Sequence, residues 1–397
     1  MTDFVSHGLR IEPTRDELSR QHFVSGMRRY VLHDLAGSMR HVYEAEVEPQ
    51  VTAELGRKPA DGVEIHKSLR GRPIFNFYSS MRTNCQEMVW RSVIPTVERN
   101  AEDLNRRAKT MAEHPTTGSL ELDPNFEVPR YVSDIDVHLM PGCYHTEYAQ
   151  DDVSMAAVYD NGGSVFTMGL FGKRRDDIGG SIALFIKHRY PELKPQRILD
   201  LGCSLGTNTL PWAETYPDAE VHAIDVAAPL LRYAHARAQS LNVPVHFHQR
   251  SVDEPGFDDE SFDIIFSSML LHELPAKTIQ KTLSEAYRML KPGGLMLHME
   301  LPPNSMTAPY DSFYLDWDSY YNREPFYKAF RDKIPRELCI EAGFREEDFV
   351  YFIIPSVNLA GRDAVLAAVD QEGAEATDKT GRLSDNISWF CFGATKP

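Results

Sequence analysis

The chain has 397 residues, 42% of them hydrophobic and 10% aromatic, a composition typical of a globular protein and not of a disordered one. At roughly 150 residues per domain, this length predicts two or three domains. The formal net charge is −16, and it is unevenly distributed. Residues 1–120 carry 17 basic and 16 acidic side chains, whereas residues 121–397 carry 25 and 42. Because so acidic a segment repels a phosphate backbone, we expect no nucleic acid among the partners.

The cysteines and the apolar runs indicate a cytoplasmic protein. The five cysteines show no CxxC spacing, which excludes an obvious zinc knuckle, and their odd number argues against a disulfide scaffold. The first eight residues have neither the basic nor the apolar region of a signal peptide. No apolar run approaches the roughly 18–20 residues of a membrane helix. We therefore expect a soluble, cytoplasmic chain without membrane insertion.

Helical spacing predicts that residues 1–120 form a separate, mainly α-helical N-terminal domain. Thr14 and Glu17 fit a capping box, and apolar side chains then recur every three or four positions. A second helical stretch is predicted from about Phe75 to His114, with a kink at Pro95. We expect these apolar stripes to pack on one another, on the rest of the chain as a lid, or on a second copy in a homodimer.

Residues 121–175 are predicted to be a connector and active-site cap. Prolines and glycines interrupt this stretch, and titratable and aromatic side chains crowd its middle part. Binding residues concentrate in connectors of this kind. The spacing of His138, His145 and Glu147 matches no ligand pattern, so no metal site is predicted.

Strands and helices are predicted to alternate over residues 176–397. The predicted strands are Arg197–Leu201, Val221–Val226, Val245–Gln249, Phe262–Ser267, Leu295–Leu301, Phe349–Ile354 and Ser388–Gly393. The predicted helices are Ile178–Tyr190, Thr207–Tyr216, Pro229–Leu241, Ala276–Leu290 and about 335–342. This order is typical of a parallel sheet with helices on both faces. After the fifth strand, residues 302–330 form an insertion rich in aromatic side chains, which suit a lid over a planar or apolar ligand.

A glycine-rich turn between a predicted strand and a predicted helix is the most informative segment. It includes Asp200, Gly202, Ser204 and Gly206. Such turns let the backbone approach a ligand and direct helix N–H groups toward it. Asp225 ends the next strand, where a carboxylate can accept hydrogen bonds from both hydroxyl groups of a ribose. The turn therefore predicts a nucleotide-type ligand.

Two other interpretations of the turn fit the sequence less well. A dinucleotide site needs the spacing GxGxxG, which is absent because the turn is one residue too short. Gly202-Cys203-Ser204-Leu205-Gly206 also has the G-x-S-x-G spacing of a serine hydrolase. That chemistry needs an acid and then a histidine later in the chain, but the last histidine is His298. A hydrolase therefore stays a minor alternative.

The turn resembles the first motif of class I S-adenosylmethionine-dependent methyltransferases, Asp-x-Gly-x-Gly-x-Gly, with Ser204 in place of the middle glycine. Three further segments resemble motifs of the same family in the expected order. Residues 223–226 resemble the second motif, residues 259–274 the fourth strand with its loop, and residues 290–295 the turn before the fifth strand. The closest subgroup in pattern is the ubiquinone/menaquinone-type methyltransferases. The resemblance covers about residues 180–355 and leaves the N-terminal 170 residues unrecognised.

The resemblance implies an α/β fold with a Rossmann-like, doubly wound sheet and a final antiparallel strand, and S-adenosylmethionine as the cofactor. The cofactor-binding residues that it implies are Asp200, Gly202, Cys203, Ser204, Gly206, Asp225, Val226, Ser251, Val252, Ser268 and Met269. Asp225 would bind the ribose hydroxyls, and Val226 would flank the adenine. Ser251 stands where relatives often carry an acid, and Asp253 is the candidate substitute.

The catalytic candidates come from two places in the chain. His272 and Glu273 follow the fourth strand at the carboxyl edge of the sheet, where an imidazole can take a hydroxyl or enol proton. Glu300 ends the fifth strand at the same edge. In relatives, residues just before the core domain fold over the cofactor, which implies Tyr144 and His145 as cap or base.

Methyl transfer to a small organic acceptor, aromatic or hydrophobic, is therefore the predicted function. The alternative from another class is a catalytically silent protein with the methyltransferase fold, acting as a binding partner or scaffold. The serine at position 204 and the missing acid at position 251 motivate that alternative.

Overall fold

A central sheet organises the computed structural model, which describes residues 7–371, 373, 375–384 and 386–397. Within these residues the strands are β1 Ser119–Glu121, β2 Arg197–Leu201, β3 Glu220–Asp225, β4 His246–Gln249, β5 Phe262–Ser268, β6 Leu290–Glu300, β7 Phe349–Pro355 and β8 Ser388–Thr395. Their spatial order is β1-β4-β3-β2-β5-β6-β8-β7. Neighbouring strands are parallel except at β8, which runs antiparallel to both β6 and β7. The predicted doubly wound sheet with a final antiparallel strand is confirmed.

Helices cover both faces of the sheet and build the N-terminal region. They are α1 Arg15–Arg29, α2 Ala36–Val42, α3 Glu48–Leu55, α4 Gly62–Leu69, α5 Pro73–Glu113, α6 Arg130–Ser133, α7 Ser154–Phe166, α8 Asp177–Arg189, α9 Leu210–Thr215, α10 Ala228–Leu241, α11 Ala276–Met289, α12 Pro309–Tyr321, α13 Tyr327–Arg331, α14 Pro335–Ala342, α15 Val357–Ala360 and α16 Arg362–Ala368. The predicted capping box of Thr14 and Glu17 opens α1. The long helix α5 continues through Pro95 as one element.

One predicted helix and one predicted strand begin at other residues in the structure. The helix predicted from Thr207 begins only at Leu210, because the preceding residues still belong to the glycine-rich turn. Strand β6 begins five residues before its predicted start, because Leu290 already pairs with Phe262 of β5. The first difference lengthens the turn at the carboxyl edge of the sheet, and the second extends β6 at the amino edge.

Strand β1 is absent from the sequence prediction. It pairs in parallel with β4, with Leu120 beside Phe247. Gly118 precedes it at φ +59°, and a Cβ atom there would lie 2.2 Å from the carbonyl oxygen of Val245. Three residues are too few to show a period-2 pattern. The domain boundary predicted at residue 120 therefore falls inside a strand of the central sheet.

The core has separate clusters on the two faces of the sheet and two more in the N-terminal region. Ile198 and Leu199 of β2 point into different clusters, as alternation along a strand requires. A third cluster packs α5 against α7 and α10. The fourth joins the N-terminal helices to α12 through Tyr310, Phe313 and Tyr314. Together with Trp317, these aromatic side chains of the insertion pack on the N-terminal helices. The homodimer stays a prediction.

The structure also describes the state of the thiols and the lengths of the helices. All five cysteines are buried free thiols. Within the described ranges, every helix is too short or too polar to cross a membrane.

Candidate active site

A cavity of about 340 Å³ lies at the carboxyl ends of β2, β3 and β5. Ligands of doubly wound sheets bind at this edge. We call the part lined by Asp200, Gly202, Ser204, Asp225 and Ser268 the strand end. The part that we call the helical end is lined by Arg28, Leu32, Tyr314, Asp318, Arg382 and Leu383. Connector and loop residues lie between the two ends, so a single cavity joins the sheet to the N-terminal helices.

The glycine-rich turn of the strand end approaches its neighbours closely. Gly202 has φ +73°, and a Cβ atom there would lie 2.6 Å from the Leu270 side chain. Ser204 also has a left-handed backbone, at φ +50°. That conformation costs a non-glycine residue about 1–2 kcal/mol. The position that the family's motif fills with glycine is therefore one where serine is strained.

The hydroxyl of Ser204 lacks the base that a hydrolase needs. Its Oγ is buried and has no hydrogen-bond partner among the described residues. A nucleophilic serine requires a histidine within hydrogen-bond reach. The geometry therefore gives the minor hydrolase alternative no support.

Asp225 is fixed at the strand end by backbone donors. The N–H of Ser204 donates to its Oδ2 at 2.9 Å, and the N–H of Ala227 donates to its Oδ1 at 2.9 Å. Burial raises the pKa of Asp225, and the backbone hydrogen bonds oppose that rise. Because each carboxylate oxygen has two lone pairs, both can still accept a ligand hydroxyl. This donor set suits a ribose.

Asp200 stabilises the glycine-rich turn through a hydrogen bond with Thr209. It is buried, and the hydroxyl of Thr209 donates to its Oδ2 at 2.5 Å. Burial raises the pKa of Asp200 to about 8, with the Thr209 hydrogen bond opposing the rise and the charge of Asp225 adding to it. Its contacts are those of a group that holds the turn in shape.

Glu300 and His272 form a buried pair beside the strand end. The Oε1 of Glu300 accepts the N–H groups of Leu270 and Leu271 at 2.9 and 2.5 Å, and its Oε2 lies 2.6 Å from Nδ1 of His272. Burial lowers the pKa of His272, but the charges of Glu300, Glu324 and the neighbouring Glu273 outweigh it and raise the pKa to about 9. With Nδ1 held by Glu300, the Nε2 atom is the one left for a ligand.

His138 connects the connector to three other parts of the chain. Its backbone is left-handed at φ +58°. Its carbonyl oxygen accepts the indole N–H of Trp90 at 2.7 Å. Its ring nitrogens lie 3.3 Å from Glu273 and 3.1 Å from Glu324. Burial opposes the charged ring, but the two carboxylates raise the pKa of His138 to about 10. The Tyr144 hydroxyl donates to the same Glu273 at 3.4 Å.

Comparison with known proteins bears on this arrangement. A family model described as a methyltransferase domain matches residues 198–294. The demethylmenaquinone methyltransferase of Thermus thermophilus is 33% identical over 132 residues, which cover 33% of this chain and 57% of that protein. The malonyl-[acyl-carrier protein] O-methyltransferase 1 of Coxiella burnetii is 29% identical over 138 residues, which cover 34% and 43%. The chain thus spans about half the length of these curated relatives.

The chain contains a class I S-adenosylmethionine-dependent methyltransferase domain. A solved structure of phosphoethanolamine N-methyltransferase 2 from Haemonchus contortus, in complex with S-adenosyl-L-methionine, is 22% identical and covers 58% of this chain and 56% of that one, with a TM-score of 0.41.

The strand end of the methyltransferase domain fits the cofactor of that family. Two of its lining residues, Ser204 and Ser268, carry buried hydroxyls that have no partner among the described residues. Buried polar groups are normally satisfied, so we expect these two hydroxyls to hydrogen-bond to a bound ligand. The close approach at Gly202 and the accepting carboxylate of Asp225 complete the cradle.

Most of the predicted cofactor residues line the cavity together. They are Asp200, Gly202, Cys203, Ser204, Asp225, Val226, Val252, Ser268 and Met269. Gly206 and Ser251 lie outside the lining: Gly206 packs near Phe247, and Ser251 donates its hydroxyl to Asp253. Asp253 also lies 3.7 Å from Lys281, so it is engaged away from the cavity.

The predicted catalytic residues separate in the structure. His272, Glu273 and Tyr144 line the cavity, whereas His145 does not. His145 is half-buried, and burial lowers its pKa. Glu147 pairs with Arg232 instead of joining the histidines. Within the described residues, no three His, Cys, Asp or Glu side chains are arranged to hold a metal ion.

Several cavity residues escape prediction from the sequence. Glu324 faces both His138 and His272, and Tyr131 of the connector lines the cavity beside Val226 and Val252. Glu324 belongs to no sequence motif. It contacts the two histidines because the insertion, residues 302–330, folds back over the carboxyl edge of the sheet. The crowding of aromatic residues in the connector was the available signal for Tyr131.

Proposed function

We propose that this protein transfers the methyl group of S-adenosylmethionine to a small organic acceptor with an aromatic or hydrophobic body. The main support is that one cavity joins the methyltransferase turn, the Glu300–His272 pair and an apolar region. Its volume of about 340 Å³ suits a small molecule. The cofactor supplies a methyl group activated by the sulfonium, and the protein supplies orientation and electrostatics.

At the strand end, the domain offers side chains for the ribose, the methionine portion and the adenine of the cofactor. Asp225 accepts the ribose hydroxyls, and Gly202 and Ser204 lie along the methionine portion. Tyr131, Val226 and Val252 provide side chains for the adenine, and all of them line the cavity. The aromatic ring of Tyr131 suits stacking on a planar base.

His272 is the proposed general base for an acceptor with a hydroxyl or enol group. Glu300 holds the proton on Nδ1, so the acceptor's proton moves to Nε2 as the oxygen attacks the methyl carbon. Because only neutral imidazole accepts a proton, a pKa of about 9 makes turnover rise with pH toward that value. Tyr144 and Glu273 are proposed to position His138 over the same space.

The apolar side chains that line the cavity beyond His272 support an aromatic or hydrophobic acceptor. They include Leu32, Trp90, Phe166, Phe171 and Leu383. Rings and aliphatic side chains bury the body of a planar ligand, and a few polar groups fix its orientation. These walls come mainly from outside the methyltransferase domain.

Two measurements test this function. Calorimetry with S-adenosylmethionine and S-adenosylhomocysteine tests the cofactor site, and a folded protein that releases no heat with either contradicts it. Transfer of labelled methyl groups across a panel of phenols, enols and carboxylic acids tests catalysis. Cofactor binding without turnover on any of them favours the scaffold alternative.

A further inference from the structure

Arg28 is a buried cation at the helical end without an ionic partner. Its side chain is 1% exposed. Its Nε donates to the carbonyl oxygen of Phe166 and its Nη1 to Oε1 of Gln86, both at 2.6 Å, and its guanidinium lies 3.9 Å from the Phe166 ring centroid. Among the described residues, no carboxylate oxygen lies within 4.0 Å of this guanidinium. Within the described part of the chain, the groups in direct contact with the Arg28 guanidinium are therefore neutral.

Arg382 is a second cation of this kind at the same end. It is partly buried in the loop before β8. Its guanidinium lies 4.1 Å from the ring centroid of Tyr314, and its Nη2 is 3.5 Å from the carbonyl oxygen of Leu32. Of the described carboxylates, none comes within 4.0 Å of it. Arg28 and Arg382 are thus distant in sequence, but both guanidiniums line the helical end of the cavity.

The acids near these arginines already have other cationic partners. Asp318 forms a bidentate pair with Arg82, at 2.5 and 3.0 Å. Asp311 and Asp378 lie 3.0 and 3.8 Å from Arg40. None of these acids is therefore the direct ion-pair partner of Arg28 or Arg382. Burial lowers the pKa of Arg382, but the charges of nearby groups, Asp311 and Asp378 among them, outweigh it and raise that pKa.

A buried cation without a counter-charge is costly unless a ligand supplies one. Consistent with this, burial and then the charge of Arg82 lower the pKa of Arg28 to about 9. Arg175, which also lines the cavity, differs because it pairs with Asp160. The contrast identifies Arg28 and Arg382 as cavity-lining guanidiniums that have no carboxylate within 4.0 Å among the described residues.

We propose that Arg28 and Arg382 bind an anionic group of the acceptor, a carboxylate or a phosphate, at the helical end of the cavity. Guanidinium groups recognise both anions through paired N–H donors. This inference rests on the proposed function, since it assigns the anion to the molecule that receives the methyl group. It narrows the acceptor class to an aromatic or hydrophobic anion.

The test uses benzoate and phenyl phosphate as anionic probes, with benzamide and benzyl alcohol as neutral controls. Calorimetric titrations are run on the full chain at constant chloride, with and without saturating S-adenosylhomocysteine. We expect at least one anion to bind at least tenfold more tightly than the neutral probes, and the preferred anion tells carboxylate from phosphate. Arg382→Gln weakens that binding at least tenfold and leaves the affinity for S-adenosylhomocysteine unchanged.

Arg336→Gln is the matched control, because Arg336 is an exposed arginine outside the cavity. It should leave all titrations unchanged. Arg28→Gln should also weaken anion binding, and if it fails to fold, Arg382→Gln alone carries the test. Anions that bind no better than the neutral probes overturn the inference, as does unchanged anion binding in Arg382→Gln.

Two further outcomes separate this inference from its premise. If Arg382→Gln weakens S-adenosylhomocysteine binding, the arginine serves the cofactor's own carboxylate and the inference is wrong. If wild-type protein binds no S-adenosylhomocysteine, the proposed function fails, while the titration without S-adenosylhomocysteine still decides whether the helical end takes an anion.

Discussion

The two ends of the cavity are built in different ways. The strand end uses short segments that each follow a strand, such as Gly202–Ser204 and Asp225–Val226, and its key contacts are backbone N–H groups. The helical end brings together side chains as far apart as Arg28 and Arg382. A site made of local backbone geometry leaves a motif in the sequence, whereas a site made of distant side chains does not.

The same contrast holds for the electrostatics of the two ends. Asp225 is compensated by backbone donors within its own strand–turn unit. At the helical end, Arg82 pairs with Asp318 while Arg28 is left with neutral partners. The carboxylate at the strand end thus keeps lone pairs for the proposed ribose, and the helical end presents two guanidiniums for the proposed anion.

The largest expected effect concerns the buried pair of His272 and Glu300. His272→Gln should lower kcat by about 10²–10⁴-fold, the usual contribution of a positioned acid or base. Glu300→Gln should lower kcat less and move the pH–rate profile below the wild-type midpoint near 9, because it removes the carboxylate that raises the pKa of His272. Steady-state kinetics from pH 6 to 10 measure both, with the exposed His188→Gln as control. An unchanged kcat in His272→Gln contradicts its role as base.

Removing the carboxylate of Asp225 should weaken cofactor binding at the strand end without affecting the helical end. Asp225→Ala should weaken binding of S-adenosylmethionine about 100-fold, or about 2.7 kcal/mol, because two charge-assisted hydrogen bonds are lost. Calorimetry measures the change, and the exposed Asp218→Ala is the matched control. An affinity equal to that of the control refutes the ribose assignment.

His138 should stabilise the junction between the two ends in a pH-dependent manner. Its pKa is about 10 in the folded protein and about 6.5 when unfolded. Its stabilisation is therefore complete below pH 6.5 and is lost as pH rises through 10. His138→Gln should lower the free energy of unfolding by about 2 kcal/mol at neutral pH.

Urea unfolding at pH 6.5 and pH 10 tests this prediction against the exposed His41→Gln. We expect the difference between His138→Gln and wild type to shrink at the higher pH. A difference that is the same at both pH values shows that His138 acts by packing rather than by charge.

The smallest effect is expected at Ser204. Ser204→Gly relieves the left-handed strain but adds chain entropy, so the free energy of unfolding should change by less than about 1 kcal/mol. Ser204→Ala keeps the strain and removes the orphaned hydroxyl. If the cofactor uses that hydroxyl, calorimetry shows weaker binding in both variants. Weaker binding in Ser204→Gly alone instead assigns the effect to backbone flexibility.

Much of the strand end could be predicted from the sequence. Asp200 lies in β2, Gly202 follows it, and Asp225 ends β3, and this local pattern carries the family resemblance. Gly206 and Ser251 fit the same motifs but lie behind the lining. A motif fixes the position of a residue in a turn, whereas the packing against Phe247 and the hydrogen bond from the Ser251 hydroxyl to the carboxylate of Asp253 decide which way these two residues face.

The connector shows the limit of prediction from composition. Tyr144 and His145 are adjacent and were equally good candidates, yet only Tyr144 lines the cavity. The connector also contains the turn at His138, which has a left-handed backbone. Its conformation depends on Trp90 of α5, which lies 48 residues earlier in the chain.

The sequence by itself determined the sheet, its order of elements and the turns that face the cofactor, because hydrogen bonding and steric limits act between near neighbours. Only the tertiary structure decided that Glu324 faces His272, that β1 joins the sheet and that Arg28 and Arg382 share one end of a cavity. These contacts depend on how the N-terminal helices, the insertion and the loop before β8 close over the sheet. No periodic pattern encodes such partners, since periodicity indicates which face of an element is buried but not which residues cover it.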